Sequence, residues 1–342
     1  MYMEKLEVFN ETKLKSLLTK RSDESKFGEH IHIPLQHTDI YEQIKTLDVQ
    51  YIIFGIPEDV GVFANLGKPG TSNAWDACLM VLLNIQSNQF THANKVLVLG
   101  HLDFSKEMQK LSELDQKNSK DIQKSRKLVS KIDKHVSDLV SIIVKAGKTP
   151  IVIGGGHNNA YGNIKGTSLA LKKPINVINF DAHTDFRNEE GRHSGNGFRY
   201  AYSEGFLKNY FIFGLHENYT SEAIFKELSD NPHIEFNSFE AIEVRKELSF
   251  KSELNRALQF IQSKPFGVEI DCDAILNIPS SAMTPSGFST SKARNFLHIM
   301  AQNKQAMYLH LCEAAPTPET ESQVGKLLSY LITDFIKAHN NA

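Results

Sequence analysis

At 342 residues, 41% hydrophobic and 23% charged, the chain can bury a large core and reads as a globular α/β protein rather than a disordered or fibrous one. A formal net charge of −2 gives no excess positive field, so neither nucleic acid nor an anionic membrane surface is an expected partner. Only Cys78, Cys272 and Cys312 are present, without Cys-x-x-Cys spacing, and neither a long apolar leader nor a run of membrane-spanning length occurs; a soluble, cytoplasmic protein with reduced thiols is expected.

Residues 1–50 are polar and weakly periodic, which predicts short helices and irregular chain peripheral to a main domain spanning 51–342. Tyr51–Phe54 then reads as a strand running into a long glycine-containing loop that ends near Gly70, and Val96–Leu99 as a second strand closed by Gly100 and His101. The Lys-rich segment 106–131 is interspersed with Glu and Asp and reads as solvated helix surface. Between Leu111 and Ala146 the spacing of Ile132, Val136, Leu139, Val140 and Ile143 predicts a helix with one apolar face, ended by Gly147. Further strands are predicted at 150–153, 175–180, 210–213, 266–270 and 307–311, and a last amphipathic helix carries Val324, Leu327, Leu328, Leu331, Ile332 and Phe335. These strands are continuous apolar runs rather than alternations, as expected for strands covered on both faces. The alternation of strand and helix predicts a single-domain, three-layer α/β/α fold around a mostly parallel central sheet.

Polar residues follow these strands in a consistent place. His157, Asp181, His216, Asp271 and Glu313 each lie just beyond a predicted strand, and in a parallel sheet such ends open onto one edge, where ligands bind. Gly-Gly-Gly-His157 permits a sharp turn, but it lacks the Lys-Ser/Thr of a phosphate-binding P-loop and the spacing of a dinucleotide site. Asp181-Ala-His183-Thr-Asp185 can send alternate side chains toward one point, and Asp271-Cys-Asp273 repeats the device. Crowded carboxylates repel unless cations lie between them. Asp181, Asp185, Asp271 and Asp273 carry a charge that two divalent ions would balance. Mixed oxygen and imidazole donors without thiolate suit manganese, with zinc, iron and cobalt also compatible. Two such ions acidify a shared water, so a metal-dependent hydrolase is the expected class; a noncatalytic, metal-stabilised regulatory protein is the alternative from a different class.

These motifs, together with Gly55-Ile-Pro-Glu-Asp59, His-Ser-Gly-Asn-Gly-Phe198 and Cys-Glu313-Ala-Ala-Pro316, resemble the ureohydrolase (arginase) family, from about Ile52 to the C-terminal helix. The resemblance implies one Mn2+ ion on His157, Asp181, Asp185 and Asp271 and a second on His183, Asp181, Asp271 and Asp273. It also implies hydrolysis of a linear amidine or guanidine C–N bond, with Asp185 passing a proton toward the departing amine and Glu313 orienting the cationic group. Family members often assemble as homotrimers or homohexamers, and the same is expected here.

Arginase-like members carry Asn after the Asp-Ala-His-x-Asp core and a His shortly after Ser-Gly-Asn, whereas this chain has Arg187 and Phe198. That pattern looks closer to formimidoylglutamase, and N-formimidoyl-L-glutamate is the expected substrate, with L-arginine or another guanidino or amidino acid as the alternative. Arg187 suits a substrate carboxylate, or the orientation of Asp185 or another loop carboxylate. Arg199 and Arg192 are further anion-binding candidates. His193 either shapes the substrate loop or acts near the leaving group, Ser194 and Asn196 offer polar contacts or turn bonds, and Phe198 is expected as a pocket wall.

Overall fold

The computed structural model describes residues 5–35 and 39–342. Its strands are β1 (Leu6–Val8), β2 (Tyr51–Gly55), β3 (Val96–Leu102), β4 (Thr149–Ile153), β5 (Ile175–Phe180), β6 (Leu207–Leu215), β7 (Ile234–Ser238), β8 (Phe266–Asp271) and β9 (Ala306–Cys312). They form one sheet in the order β1-β3-β2-β4-β9-β8-β5-β6-β7. Every neighbouring pair is parallel except β1 with β3.

Because successive side chains on a strand point to opposite faces, each apolar run supplies two cores. Ile53, Ile151, Ile178, Phe180, Val268, Ile270 and Leu311 pack on one face with Trp75, Phe296 and the C-terminal helix residues Leu328, Leu331 and Phe335. Ile52, Phe54, Leu97, Leu99 and Val152 meet Val129, Ile132, Val136 and Val140 on the other face. Ile164, Val177, Tyr210 and Tyr308 continue that second layer. Each fully buried side chain of this kind contributes on the order of 1.5–3 kcal/mol before chain entropy is counted.

The helix Ser119–Lys145 starts where the Asn118 side chain accepts the Lys120 amide, has Asp121 in its first turn and Lys145 in its last, and is followed by Gly147 at φ 74°. The C-terminal helix runs Glu321–Asn340. Two strands depart from the sequence reading. β1 lies in a segment expected to hold only helices and irregular chain, and β7 falls in a stretch with no predicted strand. Both occupy edges of the sheet, where a strand is buried on less of its surface and needs no continuous apolar run. No described helix is long and apolar enough to cross a membrane.

Candidate metal centre and cavity

Four adjacent strands, β4, β9, β8 and β5, aim their C-terminal ends at the same edge. His157 follows β4, Glu313 follows β9, Asp271 ends β8 with Asp273 just beyond it, and Asp181, His183 and Asp185 follow β5. The turn carrying His157 needs its glycines: Gly154 and Gly155 have φ of 86° and 70°, and a Cβ on Gly155 would lie 2.4 Å from Asn159 Nδ2 and 2.9 Å from Glu58 Oε1. The buried Glu58 carboxylate braces that turn from the loop after β2, accepting the Gly156 amide at 3.2 Å, Asn159 Nδ2 at 2.7 Å and the Val60 amide at 2.6 Å. Asp185 and Glu313 sit at φ of 42° and 59°, a left-handed conformation uncommon outside glycine and a sign of local strain at the cluster.

His157 Nδ1 stands 2.8 Å from Asp185 Oδ2, 3.0 Å from Asp271 Oδ2 and 3.3 Å from Asp181 Oδ2. His183 Nδ1 stands 3.1 Å from Asp273 Oδ2 and 3.6 Å from Asp181 Oδ1. Two donor groups result, His157–Asp181–Asp185–Asp271 and Asp181–His183–Asp273, with Asp181 common to both and Asp271 in the first. Asp181 is aimed by its neighbours: Oδ2 accepts Asn179 Nδ2 at 2.8 Å and Oδ1 accepts the His183 amide at 2.7 Å. Asp271 Oδ1 likewise accepts the Asp273 amide at 2.8 Å.

Burial and the charge of Asp181 hold the Asp185 carboxyl above its ordinary value, and burial with Asp273 and Asp181 holds Asp271 well above it. Burial also opposes ionisation of Asp181, but the His157 and His183 imidazoles outweigh it and lower that carboxyl. The two ring nitrogens of His157 and Oδ1 of Asp273 are buried with no hydrogen-bond partner. Repelling carboxylates and unpartnered donor atoms of oxygen and imidazole type, enclosed together, fit divalent cations such as manganese. Cys272 and Cys312 are free, buried thiols whose ionisation burial strongly disfavours, and neither belongs to these two donor groups.

A cavity of about 250 Å³ opens over this cluster, lined by His183, Asp185, Asp271, Asp273 and Glu313 at its floor and by Asn65, Arg187, Ser194, Tyr219 and Ser281 around it. Glu313 Oε1 accepts the His157 amide at 2.7 Å and Oε2 accepts the Ser281 hydroxyl. Burial pushes the Glu313 carboxyl up to about 8, against the pull of Ser281 and the His157 amide. Arg187, half exposed, donates from Nη1 to Asn65 Oδ1 at 2.9 Å and from Nη2 to Glu190 Oε1 at 3.2 Å. With Thr184 and Tyr219 it also lines a neighbouring cavity of about 410 Å³. Asn65 Nδ2 donates to Ser194 Oγ, and Tyr219 stacks on His183 with ring centroids 5.1 Å apart.

Other expected contacts lie elsewhere. Arg199 is held away from the cavity by Glu227 and the Phe186 carbonyl and lies over the Phe186 ring at 4.0 Å. Arg192 is buried in a salt bridge to Asp133, between the rings of Tyr161 and Tyr200. Asn196 spends its amide inside the loop, on the His193 amide and the Gly191 and Asn188 carbonyls. Phe198 is no pocket wall: it is fully buried beneath the cluster, edge-on to His157 at 5.0 Å and stacked on Tyr210 at 4.4 Å. His193 is also buried, accepting the Gly195 amide at Nδ1; burial, then the charges of Arg187, Arg126 and Arg192, lower it to about 3. His216 joins neither donor group and stacks instead on Tyr219 and Phe239. Sequence reasoning does not single out Asn65 at the end of a short helix, Tyr219 on a single 3-10 turn or Ser281, which no motif spacing marks, nor Glu58 as a brace. Glu269, charged in the middle of an apolar strand, was a readable anomaly.

The fold defines an α/β protein with a strand-end cluster of candidate metal ligands, and the chain belongs to the arginase family, whose model matches residues 49–336. A formimidoylglutamase of Streptococcus pyogenes serotype M12 (strain MGAS2096) is 24% identical over 293 residues, covering 82% of each chain. Formimidoylglutamase from Bacillus subtilis superposes with a TM-score of 0.74 at 18% identity, covering 94% of both chains. Trypanosoma cruzi formiminoglutamase with Mn2+2 gives 0.71 at 20% identity, covering 92% of this chain and 99% of that one. These structural likenesses establish a shared fold.

Proposed function

We propose that this chain is a binuclear-manganese hydrolase that converts N-formimidoyl-L-glutamate and water into L-glutamate and formamide. The observation that carries the reading is the pair of donor groups sharing Asp181 on the floor of a cavity whose rim presents the Arg187 guanidinium. The curated relatives named formimidoylglutamase, matched over 82% of the chain, support the choice of substrate. His157, Asp181, Asp185 and Asp271 would hold one ion, and His183, Asp181 and Asp273, completed by Asp271, the other. When bound, two Mn2+ ions supply Lewis acidity that acidifies the attacking water and offsets negative charge developing on it.

The chain's own groups do the remaining work. Glu313 already accepts one protein hydrogen bond on each oxygen and keeps lone pairs for the N–H groups of a planar formimidoyl cation. Asp185, in the same cavity, takes a proton released by the attacking water and delivers it from Oδ to the glutamate nitrogen as the C–N bond breaks. Arg187, oriented by Asn65, pairs with a substrate carboxylate. Ser194 lines the same wall as a hydroxyl contact. His193, Asn196, Phe198 and Arg199 serve by shaping the loop and backing His157.

The test is a manganese-loaded panel of N-formimidoyl-L-glutamate, L-arginine, agmatine and guanidino acids, with formamide resolved from urea. Selective formamide release is expected. Selective urea release from arginine overturns the substrate, and two bound ions with no turnover on any member transfers the chain to the noncatalytic alternative.

A further inference from the structure

Glu269 lies midway along β8 and is fully buried. A lone carboxylate there would cost several kcal/mol, on the order expected for a desolvated charge without partners. Its surroundings are built to keep it. Across the parallel pairing Glu269 faces His310 on β9, whose Nδ1 lies 2.5 Å from Glu269 Oε2. The Tyr308 hydroxyl donates to Oε1 at 2.7 Å. His310 Nε2 in turn faces the carbonyl of Gly154, the first glycine of the turn that carries His157.

The same Oε2 lies 3.5 Å from Nε2 of His157. That imidazole has its Nδ1 among Asp181, Asp185 and Asp271, so Nδ1 is the nitrogen presented to a metal and Nε2 carries the ring proton. Nε2 has no hydrogen-bond partner in the buried core, and Glu269 is the carboxylate on its side of the ring. A carboxylate behind a ligating imidazole fixes the tautomer and ring orientation and raises the basicity of the ligating nitrogen.

We propose that Glu269, held by Tyr308 and His310, is a positioning residue for the metal-binding imidazole of His157. The inference rests on the binuclear reading above. Losing such an outer partner weakens metal affinity by about 10- to 100-fold. The Glu269→Gln chain, compared with the unsubstituted chain and with Tyr308→Phe, is titrated with Mn2+ by calorimetry, with metal content measured after dialysis against graded chelator and the spin-coupled manganese signal followed by electron paramagnetic resonance. Expected are two ions on the unsubstituted chain and loss of one by about 10-fold or more in Glu269→Gln. The coupled signal should give way to the six-line pattern of an isolated ion, with a smaller effect in Tyr308→Phe. If both substitutions lower the melting temperature while leaving both affinities within twofold, Glu269 is a packing element and the inference falls. Should the Gln chain not fold, Glu269→Asp carries the test: it withdraws the charge by about one bond length, a loss of roughly 3- to 10-fold is expected, and unchanged affinity overturns the idea. Fewer than two ions on the unsubstituted chain would end the binuclear reading itself, whereas two ions unaffected by Glu269→Gln end this inference alone.

Discussion

Asp185 carries two demands at once, since it touches His157 at 2.8 Å and lines the cavity where the leaving nitrogen would sit. Asp185→Asn keeps the shape and one oxygen donor but removes the proton acceptor. Turnover should fall by about 10²- to 10⁴-fold with manganese content retained, the range for losing a positioned acid–base group. Rate and metal content must be measured on the same sample. Near-normal turnover with full metal removes the proton-transfer role, and loss of one ion shows that holding the metal is its larger task. At this scale the sequence was informative because Asp181, His183 and Asp185 form one compact motif, Asp271 and Asp273 a second, and His157 is announced by its glycines. The Arg187 environment was not legible: its partner Asn65 comes from the end of a short helix 122 positions earlier.

The glycine turn after β4 is an element whose sequence and shape are tightly linked. Gly155→Ala would force a Cβ into a left-handed position 2.4 Å from Asn159 Nδ2. The backbone term alone costs about 1–2 kcal/mol and the contact adds to it. Denaturant unfolding should therefore show a lower midpoint with an unchanged slope; a midpoint equal to that of the parent means the turn has relaxed elsewhere. The loop between Arg187 and Arg199 makes a pH-dependent contribution through His193. Its folded value near 3 is depressed from 6.5, chiefly by burial, so its stabilising contribution is complete above pH 6.5 and is lost as pH falls toward 3. His193→Asn preserves an acceptor for the Gly195 amide without a group to protonate. Its stability should fall less steeply than that of the parent over this interval, as measured by thermal melts at fixed ionic strength. Parallel curves would show that the imidazole escapes burial before it protonates.

For the molecule as a whole, the strand-end cluster carries a cost that bound divalent cations would offset, because buried carboxylates gather around two imidazoles. Metal that binds the folded cluster and not the unfolded chain must stabilise the fold, by about 2.7 kcal/mol per site at a hundredfold excess over its dissociation constant. Chelation should lower the melting temperature by several degrees, with Mn2+ restoring it in a concentration-dependent way. A melting temperature indifferent to both chelator and manganese contradicts a metal centre formed by folding.

The sequence by itself determined the class of fold, because strands covered on both faces must be apolar throughout and the helices between them must show a single apolar stripe; β2, β4, β5, β8 and β9 and the helix Ser119–Lys145 follow from that. It also marked the cluster residues, because a parallel sheet sends the residues beyond its strands to one edge. Only the tertiary structure decided the strand order that sets β4, β9, β8 and β5 side by side, and the capture of β1 and β7 as edges. It also assigned each loop side chain to the cavity or to the core: Phe198 beneath His157, Arg199 on Glu227, and Asn65 beside Arg187. Those outcomes depend on contacts between segments far apart in the chain, and no local pattern of residues encodes which distant partner a side chain meets.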